Sequence, residues 1–329
     1  MGWLAMNLHE ELMERLARHR SAQLGGLSPA AYAELLLAVR ESPSTYVDDP
    51  HDQAFMQLVD AVDRVMHSRA DDEFRDDESY MQERSQRMAR LGRDCAQALA
   101  VAPNSIHARL LQILATDYEP DNQLDALLEL DRDIQAELGP MATPDTGDAW
   151  TDVFLRGRLR VKMWLAQTCL DSARYRMAND YGQSLIQAAP CDALGARHTC
   201  ALALARLEDE QGFEALDARF DRRGDSWQQL GRTILFYKLG RMPAARRALM
   251  GYASLCEGGP YALLRPVMVD TYLPDRPAAE PYSFAEVTLA VHESDPVICD
   301  IPDFCAWAES QGDFGEQARA YAEKNGYGW

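Results

Sequence analysis

The residue types that could support catalysis are His198 and Cys200, two positions apart, and His107, which lies far from both in the chain. A cysteine nucleophile with a histidine base is the chemistry that such residues perform in enzymes. Side chains two positions apart on a helix point in different directions, and the sequence signals neither an orienting third group nor an oxyanion site. We therefore predict no catalytic residues. The alternative is a small-molecule sensor or a hydrolase with a pocket near His198 and Cys200.

A metal site near the end of the chain would have to come from His292, Cys299 and Cys305. Structural zinc sites usually combine two paired ligand motifs, whereas this chain has no C-x-x-C pair and prolines intervene. The seven cysteines are an odd number and lie mostly in apolar helical patterns, which favours buried, reduced thiols in a cytoplasm. The run Gly258-Gly259-Pro260 lacks the lysine of a phosphate-binding loop. We predict no metal and no cofactor.

The charge of the chain limits its partners. Its 329 residues carry 52 acidic and 33 basic side chains, a formal net charge of −19 at pH 7. Such a surface repels phosphate backbones and anionic lipids, and no segregated basic patch offsets it. No apolar run reaches the roughly 18 residues that a membrane span needs, and the first residues resemble neither a leader nor a lipid anchor. We expect a folded cytoplasmic protein that binds neither nucleic acid nor membranes.

The elements that position these residues are predicted to be helices throughout. Apolar positions recur at spacings of three and four, and strand patterns are close to absent. The first helix carries an apolar stripe of Leu4, Leu8, Leu12 and Leu16 and ends at Gly25-Gly26. Ser28-Pro29 and Asp49-Pro50 each combine a capping side chain with a first-turn proline, so each begins a helix. The acidic run at 71–78 breaks the pattern, and we interpret it as a solvated loop rather than a metal site.

From about residue 79 the helices arrive in pairs. The stretches 95–104 and 183–192 both place small residues in a helix that runs into a closing proline, and another helix follows each at once. A unit of about 34 residues with two helices is typical of a helical solenoid, in which each unit buries its apolar face on its neighbours. We therefore predict an all-α fold of the α-α superhelix class, with repeats over 79–257.

These repeats resemble the tetratricopeptide family. The best match spans 159–192 and carries Leu165-Ala166, Tyr175, Ala178, Tyr181 and Pro190 at signature positions. A second match carries Trp227, Leu230 and Gly231 in its first helix, then Gly240, Ala245 and Ala248. Weaker units lie at 104–139 and 192–220. The resemblance implies a superhelix in which the first helix of each unit lines a concave groove for peptides.

A narrower resemblance, over about 85–310, is to bacterial relatives of the carboxyl half of the suppressor of tumorigenicity seven family. It rests on 153–166 leading into Arg174-Tyr175 and Ala178, on the step from Pro190 to His198, on 227–241, and on Tyr272-Leu273-Pro274. Cys191 and His198 depart from the pattern of that family. The resemblance implies no catalytic activity, so we predict a non-enzymatic binding module or scaffold.

The inward positions of the tetratricopeptide family, mapped onto this chain, predict the residues of the groove. They are Arg160, Met163, Trp164 and Gln167 in one unit, Leu194, Arg197 and His198 in the next, and Gln228, Gln229 and Arg232 in the third. Three arginines and a histidine in one groove suit the carboxylates of an acidic or carboxyl-terminal peptide. The alternative is that each arginine pairs with an acidic side chain on a neighbouring helix. For Trp164 and Trp227 we favour core packing over a ligand contact.

The predicted organisation has three parts: an N-terminal helical region at 1–78, the repeats at 79–257 and a capping segment at 258–329. Prolines punctuate the last part, which predicts an irregular cap with short helices at about 283–293 and 302–323 that hides the open end of the solenoid. The ending Tyr327-Gly328-Trp329 is expected to be a frayed tail. A homodimer formed through an exposed terminal repeat is a further alternative.

Overall fold

The structure, a computed structural model, describes residues 8–69, 72, 75–142 and 144–329. Over these residues it contains 16 α-helices, two short 3₁₀ turns and no β-strand. The helices pack in neighbouring pairs, as an α-α superhelical fold requires. The predicted all-α class is therefore confirmed. Every helix in the described part of the chain is too short or too polar to cross a bilayer.

The helices are numbered in chain order. Their bounds are α1 Leu8–Gln23, α2 Pro29–Glu41, α3 Pro50–His67, α4 Asp77–Val101, α5 Ile106–Leu114, α6 Pro120–Leu138, α7 Arg156–Asp171, α8 Tyr175–Ala188, α9 Ala196–Arg206, α10 Glu210–Arg219, α11 Ser226–Lys238, α12 Met242–Leu255, α13 Gly259–Leu264, α14 Phe284–Ile298, α15 Phe304–Glu309 and α16 Phe314–Asn325.

The helix starts predicted from capping residues are confirmed. The Ser28 hydroxyl accepts a hydrogen bond from the backbone N–H of Ala31 at the start of α2, and the Asp49 carboxylate accepts one from the N–H of His51 at the start of α3. In both helices proline occupies the first turn, where its missing N–H costs no hydrogen bond. The predicted stripe residue Leu4 lies outside the described residues.

The acidic run does separate two helices, because α3 ends at His67 and α4 begins at Asp77. Asp71 and Glu73 lie outside the described residues. The carboxylate of Asp72 is paired rather than solvated, since it accepts a hydrogen bond from Nη2 of Arg87 at 2.8 Å. The prediction of a break is confirmed, and the prediction of a solvated loop is wrong at Asp72.

The chain divides into two compact units. The first comprises Met1–Val161 and Leu273–Asp275, and the second comprises Lys162–Tyr272 and Arg276–Trp329. The division falls within α7. The boundaries predicted from the sequence, after 78 and after 257, fall at the first turn of α4 and between α12 and α13.

In the first unit, the apolar stripes of α1 to α3 meet in one core. Leu12 and Leu16 of α1 pack with Val39 of α2 and with Phe55 and Val59 of α3, and all five are at most 3% exposed. These positions recur at spacings of three or four, so each helix presents one apolar face to the others. The helices α3, α4, α5 and α6 then pack one on the next.

The second unit contains most of the segments predicted to be tetratricopeptide-like repeats. The best-matching segment forms α7 and α8, the weaker unit that follows forms α9 and α10, and the segment at Trp227 forms α11 and α12. Nine of the eleven residues of α9 are buried, because α8, α10, α11 and α14 all pack against it. A helix that is enclosed by several neighbours buries residues on more than one face.

Close packing of α8 on α9 depends on one glycine. A Cβ atom built at Gly182 of α8 would overlap Sγ of Cys200 on α9, and it would lie 3.5 Å from the carbonyl oxygen of Ala196. The thiol therefore occupies the space that a side chain at 182 would need. This is the role that small residues at the second helix of a repeat are expected to have.

The C-terminal segment differs from the prediction in three respects. First, α14 continues through Pro296 to Ile298, because burial of its apolar residues outweighs the backbone hydrogen bond that proline removes. Second, the helix expected at 302–323 is divided into α15 and α16 by a turn in which Gly312 has a φ of +54°. Only glycine adopts that conformation at little cost.

Third, the aromatic ending packs onto the unit instead of fraying. The ring of Tyr327 stacks on Tyr261 and Phe284, with centroids 5.4 and 5.8 Å apart. The guanidinium of Arg265 lies over the Trp329 ring at 4.6 Å. Ring stacking and cation–π contacts of this kind offset the conformational entropy that the tail loses when it orders.

Candidate functional site

The ten residues predicted to line a groove are mostly buried. Arg160 belongs to the first unit and the other nine belong to the second. Seven are at most 8% exposed, namely Arg160, Met163, Trp164, Gln167, Leu194, His198 and Gln228. Arg197, Gln229 and Arg232 are half-buried. The core packing favoured for Trp164 and Trp227 is confirmed, since they are 8% and 3% exposed.

Arg160 is fully enclosed by two carboxylates of the first unit. Its Nη1 and Nη2 atoms donate to Glu11 at 3.0 and 2.8 Å, and its Nε and Nη2 atoms donate to Asp275, both at 2.7 Å. The Arg160 and Glu11 side chains have no exposed surface. A guanidinium group that already donates to two carboxylates has no pair of N–H groups left to bind a ligand carboxylate.

The other two arginines also pair with acidic side chains of the chain. Arg197 donates from Nε to Asp225 at 3.2 Å, and Arg232 donates from Nη2 to Asp217 at 2.7 Å. Their side chains keep 28% and 32% of their surface exposed. The alternative of internal pairing thus describes all three predicted groove arginines.

His198 faces α11. Its ring stacks on Trp227 with a centroid separation of 4.0 Å, and its Nδ1 atom lies 3.4 Å from Oδ2 of Asp225. Burial would raise the pKa of Asp225, but the charges of His198 and Arg197 and the N–H of Gln228 hold that pKa well below its usual range. Asp225 is therefore ionised and fixed at the start of α11.

Cys200 faces α8, whereas His198 faces α11. Its Sγ atom lies 3.8 Å from the carbonyl oxygen of Asn179 on α8 and fills the space beside Gly182. Burial raises the pKa of the Cys200 thiol far above its ordinary value. His198 and Cys200 thus contact different helices, and the thiol is held in its protonated, unreactive form.

A polar cluster of the second unit collects around Glu293 of α14. We name the Glu293 cluster for its four members, Glu293, Trp227, Tyr272 and Arg276. The Trp227 Nε1 atom donates to Oε2 of Glu293 at 2.8 Å, and the Tyr272 hydroxyl donates to Oε1 at 2.5 Å. Arg276 forks onto both oxygens, from Nε at 2.8 Å and from Nη2 at 3.0 Å. One carboxylate therefore receives four hydrogen bonds.

The electrostatics of the cluster keep Glu293 charged. Burial alone would raise the pKa of Glu293, but the charge of Arg276 and the hydrogen bonds from Arg276 and Tyr272 lower it below its ordinary value. Burial also raises the pKa of Tyr272 well above its ordinary value, so its hydroxyl stays a donor. The cluster is a desolvated ion pair with both charges satisfied.

Three of the predicted groove residues contact Tyr272 or Arg276. Gln167 donates from Nε2 to the Tyr272 hydroxyl, and the Trp164 ring lies beside the Tyr272 ring at 5.8 Å. The main-chain oxygen of Leu194 accepts from Nη1 of Arg276 at 2.6 Å. These residues of α7 and of the loop before α9 are therefore covered by side chains of the C-terminal segment.

Gly195 makes the contact between Arg276 and the start of α9 possible. Its φ is +68°, and its own carbonyl oxygen accepts from Nη1 of Arg276 at 2.9 Å. A Cβ at this position would lie 2.5 Å from that Nη1 atom and 2.6 Å from Cδ2 of His198. Both the backbone conformation and the lack of a side chain are required there.

Sequence patterns do not point to Glu293 or Arg276. Tyr272 belongs to the Tyr-Leu-Pro step on which a family resemblance was predicted, but its partner Gln167 is 105 residues away in the chain. The only local feature is the spacing of four residues between Tyr272 and Arg276. This spacing does not indicate a shared site by itself, because Glu293 reaches both side chains only when α14 packs on α9 and α11.

The described residues contain no group of three or more histidine, cysteine, aspartate or glutamate side chains arranged to hold a metal ion. No protein-family model, curated protein or solved structure matches the chain.

Proposed function

We propose that the chain is a non-enzymatic protein-interaction module or scaffold of the tetratricopeptide type that takes an extended segment of another polypeptide. One observation carries this proposal. Tyr272 and Arg276, from a stretch that is neither helix nor strand, lie on residues of the second unit that the repeat pattern predicts for peptide contact. We name the surface formed by Gln167, Trp164, the Leu194-Gly195 step, Trp227 and Glu293 the inner face.

The helix packing of the second unit supports the tetratricopeptide part of the proposal. Trp227 and Gly231 lie on α11 at their signature spacing. A Cβ at Gly231 would lie 3.3 Å from the Phe213 ring and 3.7 Å from the carbonyl oxygen of Ala201. A small residue at this position lets α11 approach its neighbours closely, as stacked repeats require.

A cytoplasmic setting is part of the same proposal. All seven cysteines lie in the described part of the chain, and Cys95, Cys169, Cys200, Cys256, Cys299 and Cys305 are thiols without a disulfide bond. Proteins of oxidising compartments tend to pair such residues, whereas the cytoplasm keeps them reduced.

An acidic peptide is the ligand that the sequence favours, and the two half-buried arginines are the sites that support it. Arg197 and Arg232 each expose about a third of their side chain, so a peptide carboxylate can approach them from solvent. It would have to compete with Asp225 and Asp217, which already accept from these guanidinium groups. Exchange of one carboxylate for another changes the free energy little, so such binding would be weak.

The test uses the full chain and fluorescence anisotropy with two labelled peptides of equal length, one glutamate-rich and one arginine-rich. An Arg197→Ala, Arg232→Ala variant is compared with a control variant, Arg246→Ala, Arg247→Ala, whose arginines are exposed on α12. We expect the first variant to weaken binding of the glutamate-rich peptide at least about tenfold, and the control to leave it unchanged. Binding that survives the first variant removes the two arginines from the proposed site.

The enzyme alternative has less support, because His198 and Cys200 contact different helices. A hydrolase or sensor would require a ligand that reaches both side chains. A homodimer is compatible with a scaffold role, and light scattering across a dilution series measures it.

A further inference from the structure

We propose that Tyr272 and Arg276 are an internal ligand of the inner face, and that the partner is a segment presenting a tyrosine and an arginine at the same spacing of four. The partner's arginine would replace Arg276 on Glu293, and its tyrosine would replace Tyr272 beside Gln167. This inference rests on the proposed interaction function, and it places a basic ligand at Glu293, separate from the acidic peptide considered for Arg197 and Arg232.

The chemistry at Glu293 is specific for a guanidinium group. Arg276 uses Nε and Nη2 on the carboxylate, while Nη1 donates to the carbonyl oxygens of Leu194 and Gly195 at 2.6 and 2.9 Å. The guanidinium also lies over the Trp227 ring at 5.5 Å. A planar fork satisfies a carboxylate, two carbonyls and an aromatic face together, whereas a lysine ammonium cannot.

The groups that receive Tyr272 and Arg276 lie on or next to helices, whereas Tyr272 and Arg276 themselves lie outside the helices. The receptor groups lie on helices or at helix starts: Gln167 on α7, the Leu194-Gly195 step before α9, Trp227 on α11 and Glu293 on α14. The ligand-like groups lie in the irregular stretch between α13 and α14. Irregular segments open locally at lower free energy than packed helices do. The side chains of Tyr272 and Arg276 can therefore leave while the helices stay folded.

Exposure on either side of the two residues agrees with this view. The side chains of Val267 and Met268, five and four residues before Tyr272, are 41% and 66% exposed, and Pro277 after Arg276 is exposed, whereas Leu273 and Pro274 between the two residues are buried. Eight of the fifteen residues of α14 are buried. Exchange at the two side chains of the stretch thus disturbs far less packing than removal of α14 would.

Charge selects the class of the incoming segment. When Arg276 leaves, Glu293 is a buried carboxylate without a counter-ion, which is strongly unfavourable until another cation arrives. A net charge of −19 also raises the concentration of basic segments near the chain. The inner face therefore favours a basic, tyrosine-containing segment over an acidic one.

The experiment supplies the internal ligand in trans. The probe is a labelled peptide of residues 271–279 with blocked ends, and the control probe carries glutamine in place of its arginine. Both are titrated into the full-length wild type, an Arg276→Gln variant that vacates the site, and an Arg276→Gln, Glu293→Gln variant that lacks the charge. We expect Arg276→Gln to bind the probe at least about tenfold tighter than the wild type does, and at least about tenfold tighter than it binds the control probe. The double variant should show no such preference.

Equal binding of probe and control probe to Arg276→Gln, or no binding, overturns the internal-ligand proposal. If Arg276→Gln does not fold, a probe with a photoreactive phenylalanine in place of its tyrosine is crosslinked to the wild type. Crosslinks to α7 or α14 support the proposal, and crosslinks elsewhere overturn it.

The glutamate-rich and arginine-rich peptides are titrated in parallel to keep the two proposals separate. Binding of either of them to Arg276→Gln without binding of the 271–279 probe overturns the internal ligand and leaves the interaction function standing. Failure of all three peptides overturns both.

Discussion

The indole Nε1 of Trp227 donates to Oε2 of Glu293 at 2.8 Å, across a separation of 66 residues. A tryptophan buried among the helices of the second unit therefore also fixes a buried carboxylate. Trp227→Phe keeps a ring against His198 but removes the donor, and we expect the free energy of unfolding to fall by about 1–3 kcal/mol. Urea denaturation measures this. Trp307→Phe, at a half-buried ring that packs on Tyr237, is the control and should cost less; equal losses would contradict the role of the indole N–H.

Gly195→Ala tests the contact between Arg276 and the start of α9. The added methyl meets Arg276 and His198 and forces an L-residue into a left-handed conformation, so we expect a loss of stability above about 3 kcal/mol. The control is Gly240→Ala. Gly240 has the same φ of +68° with open space around it, and it should lose only about 1–2 kcal/mol. Similar thermal melting curves for the two variants would show that the steric contact is unimportant.

Arg160→Met tests the buried ion pairs of the first unit. It leaves Glu11 and Asp275 without their shared guanidinium, and we expect a loss of about 3–5 kcal/mol in the free energy of unfolding. Arg223→Met removes an exposed pair with Asp221, in which the side chains are 63% and 76% exposed, and should change stability by no more than about 0.5 kcal/mol. A small loss in Arg160→Met would mean that the two carboxylates find other partners or take up protons.

His107 gives the first unit a dependence on pH. Burial lowers the pKa of His107 well below its ordinary value, and the charges of Arg160, Arg15 and Arg156 lower it further. Below about pH 6.5, His107 therefore binds a proton in the unfolded chain but stays neutral in the folded chain. The free energy of unfolding falls as the pH falls. Between about pH 7.5 and pH 5.5 the wild type should lose about 1 kcal/mol more than His107→Gln does. Urea titrations at both pH values measure this, with the exposed His292→Gln as control; parallel losses in wild type and His107→Gln would refute the shift.

Cys299 should be the first thiol to react with a water-soluble disulfide reagent. It is exposed, whereas Cys95 and Cys200 are buried. Its Sγ donates to Asp295 at 3.4 Å, and this hydrogen bond raises the pKa of the Cys299 thiol. We expect Asp295→Asn to speed its reaction, because the thiolate is the nucleophile and the carboxylate disfavours it. An unchanged or slower rate in this variant contradicts the assignment.

The helix pairs of the second unit are predictable because their signals are local. Tyr175 and Ala178 lie within one turn of each other at the start of α8, and Pro190 follows its end. Capping and apolar spacing act over a few residues, so they are visible in sequence. The same holds for the start of α3 at Asp49-Pro50.

The Glu293 cluster and the partners of Arg160 are not predictable in this way. Arg160 meets Glu11, 149 residues away, and Trp227 meets Glu293 only after α14 packs on α11. Such contacts depend on the register between elements that are distant in sequence, which helix propensity and spacing do not encode. Pro296 shows the same limit, because tertiary packing keeps it inside a helix that local propensity would end.

The overlap between a side chain at 182 and the sulfur of Cys200 ties the two positions together. The two side chains occupy the same space between α8 and α9. A methyl group added at position 182 therefore requires the loss of an atom of similar size at position 200. A pairwise exchange such as Gly182→Ala with Cys200→Ala nearly conserves that volume, and neither change alone does. Related chains that retain this helix pair should therefore vary at these two positions jointly.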